Sequence, residues 1–142
     1  MACPYFYPAE KLGQVHQADL FWPLGDGYAG WCTAEPGVEF QPEKTALVEC
    51  CNLGYARGSC ERFPRGGGPD AVRFSVTDDR DGIIRVYFVV EGNHRPREHG
   101  PLEYEVKRRA MLVPHPDPIV NRQAEAYVES YLRRKPRRKQ SS

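Results

Sequence analysis

All five cysteines of this 142-residue chain lie within its first sixty positions. Three of them fall in one eleven-residue stretch, Cys50-Cys51-Asn52-Leu53-Gly54-Tyr55-Ala56-Arg57-Gly58-Ser59-Cys60. An earlier segment, Gly27-Tyr28-Ala29-Gly30-Trp31-Cys32, repeats the order Gly-Tyr-Ala, short gap, Cys. With Cys3 near the start, four thiolates are available for one site. If they serve one site, the N-terminal half must fold so that three separated segments meet.

Four thiolates at tetrahedral positions suit zinc or a [4Fe–4S] cluster. The candidate ligands are Cys3, Cys32, Cys51 and Cys60. Adjacent cysteines point in different directions, so only one of Cys50 and Cys51 is expected to ligate. Cys51 is favoured because it opens the segment that turns toward Cys60, which leaves Cys50 buried or spare. Structural zinc sites use knuckles with two to four residues between paired cysteines. Here 28, 18 and 8 residues separate Cys3, Cys32, Cys51 and Cys60. A cluster tolerates dispersed ligands because it spans more space than one ion. Gly30, Gly54 and Gly58 are expected to let backbone N–H groups approach sulfur. Tyr5, Phe6, Tyr28, Trp31, Tyr55 and Phe63 are expected to exclude water. An iron–sulfur cluster is therefore the expected cofactor, with zinc as the alternative. Buried core cysteines and a redox-active thiol pair are the competing readings.

Seven prolines (4, 8, 23, 36, 42, 64 and 69) punctuate the first seventy residues and exclude long helices there. Residues 8–17 have room for one helical turn, and 44–51 fit a short strand or helix. Residues 65–69 read as a flexible glycine-rich connector. Beyond it the period changes. Val72, Phe74 and Val76 alternate with polar residues, as in a half-buried strand. Asp78-Asp79-Arg80-Asp81-Gly82 reads as a hairpin loop. Residues 83–90 are apolar on both faces and form the expected central strand. Residues 91–101 read as a polar loop. Leu102, Tyr104 and Val106 mark a further strand, which residues 110–113 extend or follow. Asp117 and Pro118 then read as an N-cap and first helical residue. Val120, Ala124, Tyr127, Val128 and Tyr131 make one helical stripe.

The fold expected is α+β: an irregular cysteine-bearing half (1–70), a three- to four-stranded antiparallel sheet and one C-terminal helix (71–132). These form one globular domain, 1–132, followed by a disordered basic tail, 133–142. Residues 1–70 carry five Lys/Arg against nine Asp/Glu, and residues 71–142 carry fifteen against ten. Six of those fifteen lie in 133–139, so the basic excess is a tail rather than a face. Such a tail suits electrostatic contact with nucleic acid or an acidic partner.

The first residues lack a charged segment followed by an apolar one, and no stretch approaches the length of a membrane span. A cytoplasmic protein without a membrane partner is expected. In a reducing compartment clustered cysteines more often bind metal than pair, and an odd count argues against a disulfide framework. Of the four histidines, His94, His99 and His115 read as loop residues, and His16 is the one considered as a substitute ligand. No Ser/His/Asp or Cys/His catalytic arrangement follows from spacing. The function expected is that of a cluster-binding accessory or electron-transfer protein with a protein partner. A zinc-stabilised interaction module contacting nucleic acid or protein through the basic tail is the alternative.

Overall fold

A computed structural model describes residues 2–11, 23–35, 37–57, 59–64 and 68–134. The fold is α+β, as expected. Strands β1 (Phe6–Lys11) and β2 (Tyr28–Cys32) form an antiparallel pair. A three-residue helix α1 (Lys44–Ala46) runs into a π-helical turn, Leu47–Cys51. Strands β3 (Ala71–Arg80), β4 (Ile83–Gly92), β5 (Arg95–Glu105) and β6 (Ala110–Met111) build an antiparallel meander in that order. Helix α2 (Pro118–Arg134) closes the chain's described part.

The meander follows the alternation of its residues. Val72, Ile84, Val86, Leu102 and Tyr104 are buried, while Arg73, Ser75 and Arg85 between them are exposed. The β3–β4 connection is tighter than a five-residue loop. Asp81 and Gly82 both take positive φ, 57° and 77°. This is the Asp-Gly pattern that matches strand twist.

The expected polar loop at 91–101 is overturned. β4 continues to Gly92, Asn93 and His94 turn the chain at φ 53° and 61°, and β5 begins at Arg95. Prolines 96 and 101 hid this strand. They are accommodated because β6 pairs only with Tyr104 and Glu105, so most of β5 is an edge.

The N-terminal half is also more regular than expected. Residues 8–11 belong to β1 rather than to a helical turn, and 12–17 lie outside the described residues. The first residues join the sheet directly. Ala2 exchanges both backbone hydrogen bonds with Val72, at 2.7 and 2.8 Å. This places Cys3 beside the edge of β3. Of the glycine-rich connector, residues 65–67 lie outside the described residues.

Helix α2 starts where expected. The Asp117 carboxylate accepts the Ile119 N–H at 2.9 Å. Tyr127 packs on Phe74 with ring centroids 5.7 Å apart, and the Tyr131 hydroxyl donates to Asp79 at 2.6 Å. The opposite side of α2 meets the β1–β2 pair. Arg122 donates to the carbonyls of Pro8 and Ala9, and Tyr28 donates to the Ala126 carbonyl at 2.8 Å. The helix is therefore buried between the two sheets, with Ala124, Ala126, Val128 and Ser130 fully covered.

Its last turn retains Arg133 and Arg134, the first residues of the expected tail. Both guanidinium groups pair with Asp26, at 2.7 and 2.8 Å. Burial raises the Asp26 pKa, but the bonds from Arg133 and Arg134 outweigh it and hold the carboxyl at about 2. Residues 135–142 lie outside the described residues.

β1 and β2 approach closely at Gly30. A Cβ there would sit 1.8 Å from the Tyr7 carbonyl oxygen and 2.9 Å from the Ala9 nitrogen. Gly30→Ala should destabilise the protein by about 3 kcal/mol, because the obstruction is backbone and cannot swing aside. Denaturant titration of the variant against the parent reads this directly, and an unchanged midpoint would refute it.

Candidate metal centre

Each cysteine is positioned by a different local device. Cys3 follows the Ala2–Val72 bridge, and its backbone N–H donates to the Cys51 carbonyl at 3.0 Å. Its own carbonyl, with that of Phe6, accepts the Gln123 side-chain amide at 2.7 and 2.8 Å. Cys32 ends β2, opposite Phe6, and exchanges backbone bonds with Phe40. Cys50 and Cys51 end the π turn, closed by the Asn52 N–H donating to the Leu47 carbonyl at 3.1 Å. π turns recur at functional sites. Cys60 closes a turn in which its N–H donates to the Ala56 carbonyl at 2.8 Å.

The structure brings these segments together. Cys3, Cys50 and Cys51 are buried, and Cys32 and Cys60 are half-buried. Cys51 lies within electrostatic reach of all four other thiols, and Cys3 within reach of Cys32, Cys50 and Cys60. Cys50 likewise lies within electrostatic reach of Cys60. The four residues expected as ligands thus share one neighbourhood, and Cys50 belongs to it too. Among the described residues no group of three or more His, Cys, Asp and Glu side chains is arranged to hold a metal ion.

Burial dominates the thiol chemistry. It pushes the Cys3 thiol up from 9.0 to about 12, against the lowering effect of the Tyr5 backbone. Burial and then the neighbouring Cys3, Cys32, Cys60 and Cys50 push Cys51 up further. Burial and Cys60 also raise Cys50. Thiolates here are disfavoured unless a cation compensates them, so any metal must displace protons.

The expected N–H donors are reassigned. Gly54 donates to the Cys50 carbonyl, and its φ of 76° with a 3.1 Å approach to Ala2 and Ala71 explains why no side chain is present. Gly30 serves strand pairing. The N–H that does reach sulfur among the described residues comes from Ala34, to Cys32 at 3.4 Å. Gly58 lies outside the described residues. The two Gly-Tyr-Ala segments are not structural repeats. Tyr28 is extended and fully buried, whereas Tyr55 has φ 51° and stacks on His94. Of the aromatic shield, Phe6 and Phe63 are buried, and Tyr5 meets Phe63 edge-on at 5.5 Å.

Asn52 went unremarked in the sequence. It is fully buried; its side chain accepts the Tyr28 N–H at 3.0 Å and donates to the Tyr28 and Leu47 carbonyls at 3.0 and 2.8 Å. Its place directly after the cysteine pair was the available signal. His16 lies outside the described residues. His115, read as a loop residue, is buried against Phe88, with Nδ1 accepting the Asp117 N–H and Nε2 meeting Glu98.

Comparison with protein-family models, curated proteins and solved structures gives no match for this chain.

Two outcomes follow from the site's burial. Asn52→Ala removes the side-chain partner of the buried Tyr28 N–H and carbonyl, while the Leu47 carbonyl keeps the Asn52 backbone N–H, and should cost about 3 kcal/mol, read by denaturant titration; a cost below about 1 kcal/mol would refute the clamp. The raised Cys3 and Cys51 thiols stabilise the metal-free fold fully below about pH 9, and this contribution is lost as pH rises toward about 12. The melting temperature of metal-free protein should therefore fall between about pH 8 and about pH 11, and fall less steeply in Cys3→Ala. Equal slopes would show that Cys3 is not the titrating group.

Proposed function

We propose that this chain binds an iron–sulfur cluster of the [4Fe–4S] type through Cys3, Cys32, Cys51 and Cys60, and acts in the cytoplasm as a small accessory or electron-transfer protein for a protein partner. The observation that carries this reading is the meeting of all five thiols, from three separated segments, in one buried neighbourhood.

The chemistry of the residues suits such a group in three respects, although the described thiols are not arranged as a formed metal site. Thiolates are the ligands that iron–sulfur clusters take. The N–H group of Ala34 stands ready to stabilise sulfur charge at Cys32. Phe6 and Phe63, both buried in the same core as Cys3, Cys50 and Cys51, would help to exclude water. The dispersed spacing suits a cofactor larger than one ion. When bound, the cluster would supply reversible one-electron chemistry. The protein's own contribution is to hold four thiolates, exclude water and aim N–H donors, which set the potential. Cys32 and Cys60, the half-buried pair, mark the side from which a partner would approach.

The test is anaerobic purification and reconstitution, with iron, sulfide and zinc assayed on one sample. About four irons per chain and a broad visible band are expected. Serine at 3, 32, 51 or 60 should each lower iron content, while Cys50→Ser should retain it. A colourless protein holding one zinc would replace the cluster by a structural metal. A colourless protein with neither metal would return the thiols to packing. Iron loss in Cys50→Ser but not in Cys51→Ser would move the ligand by one residue.

A further inference from the structure

A second site lies on the far side of Tyr5, at the β4–β5 turn. A cavity of about 580 Å³ opens between that turn and the segment following the cysteine pair. Its wall includes Tyr55, Arg57, His94, Arg95 and Arg97. Three features of the backbone are devoted to it. First, the β4–β5 register shifts between Val90 and Glu91, so that Val90 faces Glu98, Glu91 faces Pro96, and Arg97 bulges unpaired. Bulges re-aim side chains and gather at functional sites. Second, the bulge lays Arg97 across Gly92. A Cβ on Gly92 would stand 2.4 Å from Arg97 Cδ and 2.9 Å from its Nη1, so the glycine makes the place in which the guanidinium rests. Third, His94 takes φ 61°, uncommon for a residue with a side chain, and is held there by stacking on Tyr55 at 4.5 Å and by its N–H donating to the Tyr55 hydroxyl at 3.1 Å.

The charges are unevenly satisfied. Both carboxylates beside the cavity are fully engaged. Asp70 takes Arg57 Nε at 2.8 Å on one oxygen and the Asn93 N–H at 2.7 Å on the other. Glu91 takes the Tyr55 hydroxyl at 2.5 Å and Arg73 at 2.8 Å. Arg95 and Arg97 have no carboxylate partner among the described residues. Two guanidinium groups without counter-charges therefore line a concave site whose acids are already spent. Arg57, braced by Asp70, the Pro64 carbonyl and the Phe63 ring, presents a third.

We propose that this cavity binds the phosphate group of a small anionic ligand, with Arg95 and Arg97 as its principal contacts. Charge decides between oxyanions. A phosphate monoester carries about −1.5 to −2 at neutral pH and three strong acceptor oxygens, which matches two unpaired guanidinium forks. A single carboxylate would neutralise only one. The inference stands apart from the cysteine centre, since it uses none of the thiols. Tyr5 links the two places: its hydroxyl feels both the Cys3 thiol and Arg97.

The experiment is calorimetric titration of the full chain, at low ionic strength, with inorganic phosphate, phenyl phosphate and succinate. Saturable binding of phosphate or phenyl phosphate at one site per chain, weakened by added salt, is expected. Tighter binding of phenyl phosphate would identify an ester; equal binding would identify the free anion; both support the phosphate assignment. Arg95→Gln and Arg97→Gln should each weaken binding about tenfold, and the double variant should abolish it. Gly92→Ala should weaken it by displacing Arg97, with the thermal transition and the iron content of the cysteine centre unchanged. Succinate binding as tightly as phosphate would overturn the phosphate assignment. No saturable binding, or binding unaffected by the double variant, would overturn the site.

Discussion

One side-chain amide holds the two halves of the cysteine centre to each other. Asn52 engages Tyr28 as a neighbouring strand would, accepting its N–H and donating to its carbonyl, and spends its second donor on the Leu47 carbonyl. β2, which carries Cys32, and the π turn, which carries Cys50 and Cys51, are thereby fixed in mutual register by a single residue. A fully satisfied polar group in a low-dielectric interior is strong and specific; a partly satisfied one would be a defect. The chain of bonds continues outward, because Tyr28 reaches the Ala126 carbonyl and Ser130, and Arg133 reaches the Tyr28 hydroxyl and Asp26. The geometry of the thiols is thus tied to the last turns of α2.

Helix α2 carries the second constraint. Lying between two sheets, it has no broad solvent face over its middle turns, and its sequence answers with small residues where the β1–β2 pair approaches. Gly25 shows how close that approach is, since a Cβ there would fall 2.4 Å from the Ser130 Cβ. Gln123 belongs to the same arrangement. Its two donors satisfy the carbonyls of Cys3 and Phe6, while its Oε1 has no partner among the described residues. An unsatisfied buried acceptor costs on the order of 1–3 kcal/mol, so the amide is retained against a cost by what its donors hold in place.

Much of this was legible before the structure. Alternation at 72–76 and 102–106, the Asp-Gly turn and the Asp117-Pro118 helix start were written in local pattern, and local pattern is what fixes a meander and one amphipathic helix. The strand at 95–101 was hidden because its prolines and glycine are tolerated only by an edge, and edge status is a property of the neighbours. The cysteines could be named as a group because their residue type is scarce. Their supporting groups could not, because Asn52 and Gln123 act through bonds between remote segments. The arginine-lined cavity escaped for the same reason: Arg57, Arg95 and Arg97 lie in stretches that read separately as a turn and a loop.

The Cys3–Gln123 bond spans 120 positions of sequence, and the Arg122–Pro8 bond spans 114. Contacts of that separation are slow to form, since loop closure must precede any reward. The hairpins of the meander are local, whereas the Cys3 carbonyl gains its Gln123 partner only when α2 docks. Until that step the thiols are solvated and ionise more readily than in the finished fold. The order of assembly therefore opens a window in which the thiols are most reactive. Within it the sulfurs are most open to an oxidant, and docking of the helix closes it.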